Sequence, residues 1–124
     1  MRFKIHAKAV TTGVLVGVIV SLALGFLFGF AEPLIQSGAP LNGDPLHIVS
    51  LAIGFLSTLL GAHLTARLSA TDKFANVVVF WAINEVLGLL SLLVTTFPLW
   101  YNIVGTFVVL TASVLGWYSL RSSK

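Results

Sequence analysis

A chain of 124 residues that is 57% hydrophobic and 9% charged, with mean hydropathy +1.02, has too little charge to cover a soluble domain. It has no cysteine, which excludes disulfides, thiol catalysis and thiolate metal sites. A net charge of +3 and a pI near 9.7 would suit nucleic acid, but the positions of the basic residues explain the charge by membrane topology.

A helix crossing ~30 Å of hydrocarbon needs about 20 apolar residues. Four stretches of that length nearly exhaust the chain. The expected fold is all-α: a single transmembrane domain forming an integral membrane four-helix bundle. Its helices are expected at about 9–31, 46–68, 73–97 and 99–120, with an outer loop at 32–45.

Helix one follows Arg2, Lys4 and Lys8. Its apolar stretch exceeds the ~7–15 residues of a signal-peptide core, so it is expected to remain as a span. Gly13, Gly17, Ser21, Gly25 and Gly29 recur at every fourth position over nearly its whole length. Lipid supplies no hydrophobic drive for helices to pair; small residues permit the close backbone approach that does. The strict spacing favours a right-handed crossing of about −40°. Two uses stay open: packing inside the bundle, or a homo-oligomer interface. "AEP" is expected to end the helix, because Pro33 has no N–H for an interior hydrogen bond.

The loop "LIQSGAPLNGDPLH" carries the turn signal "NGDP", with Asp44 placed to cap helix two and Pro45 suited to its first position. Helix two carries Ser50, Gly54, Ser57 and Gly61 at alternating three- and four-residue steps, the seam of a left-handed bundle of about +20°. Thr58 lies beside it. Near its end His63 and Arg67 are expected as interface anchors, Arg67 snorkelling to headgroups and His63 hydrogen-bonded one turn deeper. In "SATDK" Thr71 or Asp72 can cap helix three.

Helix three places Trp81, Asn84, Gly88, Ser91 and Thr95 on one stripe, with Glu85 flanking it. Counted from Phe74, Glu85 is roughly 16 Å deep, near the midplane. A charge there costs about 2.5–3.5 kcal/mol, so Glu85 is expected to be neutral and hydrogen-bonded by Asn84 or by hydroxyls at similar depth, Ser21, Thr58 and Thr111. Trp81, Asn84, Glu85, Thr58 and Thr111 form the candidate polar site. It reads either as a proton- or cation-linked carboxylate or as a packing device.

A short outer turn around Pro98 leads to helix four, with Asn102, Gly105, Val109, Ala112, Gly116 and Ser119 along its stripe. Trp100 and Tyr101 suit one membrane interface, and Trp117 and Tyr118 the other. All seven Lys and Arg fall on one side of this four-span arrangement, which puts both termini in the cytoplasm. His6 and His47 lie on opposite faces, so no metal site is expected. There is no phosphate loop, no nucleophile–base pair and no nucleic-acid motif. The expected protein is not an enzyme, has no cofactor, and has lipid and membrane helices as partners.

"GAHLTARLSA" at 61–70 resembles a signature of small bacterial four-span inner-membrane proteins of uncharacterised function: paired small residues, an aromatic, then Ala-Arg-Leu. Gly61, Ala62, Ala66, Arg67 and Leu68 match it, and His63 stands where the aromatic is common. The resemblance covers residues 50–121 and implies a bacterial inner-membrane architecture without an activity. Small multidrug-resistance transporters fit less well, because their critical carboxylate lies in the first span and here Glu32 is at its end. Membrane-associated glutathione-metabolising enzymes need arginines this chain lacks. The leading expectation is a self-associating or accessory membrane subunit. The alternatives are a proton-coupled transporter or channel using Glu85 and a holin-like permeabiliser.

Overall fold

The computed structural model describes residues 4–35, 43–91, 93 and 99–122. They form four helices: α1 (Ala7–Ile35), α2 (Gly43–Leu68), α3 (Lys73–Ser91) and α4 (Leu99–Ser122). Each contains a segment long and apolar enough to cross a membrane, of 22, 22, 18 and 21 residues in turn.

Three boundaries differ from the sequence expectation by more than two residues. α1 runs through Pro33 to Ile35; a proline in the last turn removes only one hydrogen bond there. α2 begins at Gly43, so Asp44 and Pro45 lie inside its first turn, where backbone N–H groups have no helical acceptor in any case. α3 stops at Ser91, and residues 94–98, including Thr95, lie outside the described residues.

α2 is central. It packs chiefly on α1 and α4 and also on α3; α3 touches α1 and α4, and α1 does not meet α4 among the described residues. Around the bundle the order is therefore α1, α2, α4, α3, with α2 and α3 across the short diagonal.

The interior is small and polar, and the exterior is large and apolar. Thr65 and Asn76 are fully buried, whereas Leu22 and Phe26 are 69% and 68% exposed. Water would penalise that surface, and hydrocarbon would not. Three of the buried hydroxyls bond along their own helices: Ser57 donates to Ile53 O, Thr65 to Gly61 O, and Ser113 to Val109 O.

Packing is tight at one end, that of Lys4, Arg67 and Lys73, here called the basic end. Val10, Ala62, Ala66, Val77 and Phe80 form the core there. α1 crosses α2 where Gly13 meets Gly61. A Cβ on Gly61 would stand 2.7 Å from Gly13 O and 2.8 Å from the Phe80 ring, and one on Gly13 would collide with Thr65 Oγ1. α4 approaches the other side of α2 at Gly116, where a Cβ would lie 2.7 Å from Leu59 O and 2.8 Å from Ala62 Cβ.

Toward the far end the helices part. A Cβ on Gly17 would stand 3.4 Å from Ser57 O, and one on Gly105 3.7 Å from Leu51 Cδ2. At Gly25, Gly54 and Gly88 it would meet nothing within 4 Å. Gly29 is helical, but its surroundings lie outside the described residues. Of the glycines of the α1 stripe whose surroundings are described, Gly13 and Gly17 thus meet α2 and Gly25 does not.

A polar clasp locks the basic end. Asn76 Oδ1 accepts from His6 N at 2.6 Å, while its Nδ2 donates to Lys4 O, Thr71 O and Asp72 O. Asp72, at φ 52°, occupies the left-handed region that Asp tolerates, and its Oδ2 accepts from Lys4 N at 2.8 Å rather than capping α3. Lys73 Nζ donates to Ala66 O and Ser69 O, closing the carbonyl end of α2.

Candidate functional site

The far-end separation leaves two cavities that share Gly54, Asn84 and Gly88. One, of about 230 Å³, lies among α2, α3 and α4. Ser50, Asn84, Glu85, Tyr101, Asn102 and Thr106 form its polar wall, opposite Leu51, Leu89, Val108 and Val109. The other, of about 280 Å³, lies among α1, α2 and α3 and includes Ser21, Ser57 and Thr58.

Glu85 is half-buried. Thr106 Oγ1 donates to its Oε2 at 3.5 Å, a long contact, and also to Asn102 O at 3.2 Å. Asn84 turns its Nδ2 to Phe80 O at 2.8 Å. Its Oδ1 and the second N–H of Nδ2 are what it has left to offer a ligand.

The expected constellation is partly assembled. Asn84 and Glu85 line one cavity together, and Asn84 joins Ser21 and Thr58 in the other. Thr111 is exposed on α4 and lines neither. Trp81 also lines neither, and its indole Nε1 is buried without a hydrogen-bond partner. Of the hydroxyls, it is Thr106 that reaches Glu85, and the expectation missed it.

The reason is depth. Because α3 stops at Ser91, Glu85 is six residues from the far end, ~9 Å along the axis. Thr106 is seven residues from Leu99 at that same end of α4. Counting from the nearer helix end would have matched the two.

Rings gather at the mouth. His47 lies 5.8 Å from Trp100 and 5.4 Å from Tyr101, centroid to centroid. At the basic end His63 Nδ1 and Ser119 Oγ are 3.0 Å apart, and Ser119 Oγ donates to Gly116 O, so the imidazole N–H is the donor between them. Arg67 is exposed beyond it. Among the described residues no three His, Asp or Glu side chains gather as metal ligands.

A wider groove of about 710 Å³ opens at the basic end along Ile5, Phe74, Val78 and Trp117. Its walls are mainly apolar, and its polar members are already engaged: Lys73 with α2, Asp72 with Lys4, Thr71 with His6. The chemistry-bearing cavity is the one at Glu85. No protein-family model, curated protein or solved structure matches this chain.

Proposed function

We propose that this chain is a small, non-enzymatic, multi-pass protein of the bacterial inner membrane that works as a subunit of a membrane assembly, either a homo-oligomer or a complex with another membrane protein. One observation carries the reading: among the described residues the bundle is closed at its basic end and open at the other. Gly25 and Gly54 keep the smallness that permits close helix approach, yet a Cβ at either meets no described atom within 4 Å. Asn84, Glu85 and Thr106 line the cavity beside Gly54, only partly covered. Polar groups facing hydrocarbon without partners cost about 1–3 kcal/mol each on mutational scales. Helices of a second copy, laid on the small faces, would cover them. The one-sided Lys and Arg support placing the basic end and both termini in the cytoplasm. Native mass spectrometry after extraction in mild detergent tests the assembly: a monomer with no bound partner would rule it out.

The cavity itself favours a second reading, in which Glu85 carries protons or cations. Proton flux into proteoliposomes, lost in Glu85→Gln and retained in Thr111→Val, is its expected signature.

A further inference from the structure

We propose that the cavity among α2, α3 and α4 binds a primary ammonium cation with a compact apolar body, taken up at Glu85 in exchange for a proton. The inference deepens the Glu85 reading and does not depend on whether copies assemble.

The donor–acceptor chemistry favours an ammonium headgroup. An ammonium has three N–H donors and no acceptor. The oxygens of the wall include a Glu85 carboxylate oxygen, Asn84 Oδ1, and Thr106 Oγ1, whose proton has Asn102 O as its nearer acceptor. Among the described residues no Lys or Arg lines the cavity. With one carboxylate and no histidine among the described lining residues, they do not make up the ligand set of a divalent metal. Leu51, Leu89, Val108 and Val109 form a surface that a bare alkali ion would leave unused and an organic body would cover. Tyr101 adds an aromatic face for the cation.

Charge balance supplies the exchange. With no cation present, a protonated Glu85 leaves the cavity uncharged. As the ammonium enters, the Glu85 O–H proton leaves to the water at the far end, and the carboxylate formed pairs with the incoming charge. The site has the same net charge before and after. Around Glu85, α4 presents Tyr101 as the titratable group together with neutral Asn102 and Thr106, and α2 presents neutral Ser50 and Leu51. His47 lies beyond Tyr101.

The test is calorimetric titration of the full chain in lipid nanodiscs with phenethylammonium, in buffers of different ionisation heat. Neutral 3-phenylpropan-1-ol and sodium chloride serve as comparison ligands. The expected result is saturable binding of phenethylammonium with release of about one proton per site. Binding should weaken at least about tenfold in Glu85→Gln. It should weaken likewise in Val109→Phe, which fills the cavity from α4, and stay unchanged in Thr111→Val. Absent saturation, equal binding by Glu85→Gln and Val109→Phe, equal affinity for the alcohol, an equal response to sodium, or uptake without proton release would each overturn the proposal. Native mass spectra of the same samples separate the two ideas. A monomer that binds the amine removes assembly alone, and an oligomer that ignores it removes this site alone.

Discussion

Replacing Gly61 with alanine adds one methyl where α1 and α2 cross. Its Cβ would stand 2.7 Å from Gly13 O, and ordinary contact begins at 3.4 Å, so the two backbones must part by about 0.7 Å. The Phe80 ring, at 2.8 and 2.9 Å, blocks escape on the other side. A gap of that order forfeits about a quarter to a half of each facing dispersion contact. Overpacking of this kind costs about 1–3 kcal/mol. Alanine also gains about 1 kcal/mol over glycine in helix propensity. For the bundle of a single copy, dissociated in excess detergent, Gly25→Ala is the internal control, because it collects the same propensity gain and its Cβ meets nothing within 4 Å. The propensity term cancels between the two variants, leaving Gly61→Ala less stable than Gly25→Ala by about 1–3 kcal/mol. Gly116→Ala should behave like Gly61→Ala, since Leu59 O and Ala62 Cβ crowd it equally. Reversible unfolding in mixed micelles, followed by far-ultraviolet circular dichroism, measures the difference. Equal stabilities for the Gly61 and Gly25 variants would refute the close crossing.

Asn76→Leu should destabilise by about 2–4 kcal/mol, because it strands His6 N–H and the Lys4 carbonyl together; trypsin should then cut faster at Lys4 and Lys8, and an unchanged cleavage rate would contradict the clasp. Glu85→Leu should cost the isolated bundle less than about 1 kcal/mol, because its one hydrogen bond is long and Thr106 keeps Asn102 O; a loss above about 2 kcal/mol in unfolding would show a stronger role in packing. Reporter fusions at residue 40 and at the C-terminus should report opposite sides of the membrane, and agreement between them would end the four-span topology.

The helices were legible because length and apolarity alone decide whether a segment can span. Their ends were less so. Pro33 and Pro45 both sit in terminal turns, where a missing N–H matters little, so neither marks the boundary sharply. The stripes identified faces but not the depth at which the faces meet. Gly13 and Gly25 look alike in sequence, yet one touches Thr65 and a Cβ on the other meets no described atom within 4 Å, because spacing carries no information on where two helices diverge. Extending helix three to residue 97 put Glu85 at the midplane and hid Thr106. Asn76 was passed over as one polar residue near a helix start. Its position four after Asp72, ahead of Val77–Val79, was the available signal for a buried amide that ties the chain's start to α3.

The account turns on whether the open far end is covered by a second copy. Native mass spectrometry of wild type and Gly25→Leu, each released from mild detergent, measures this most directly. A Cβ at Gly25 meets no described atom within 4 Å, and a leucine there would block a facing helix. The account predicts an oligomer or a partner-bound complex for wild type, and a well-folded monomer for Gly25→Leu with unchanged helicity. A wild-type monomer without a partner, or an assembly indifferent to leucine at this position, would contradict it.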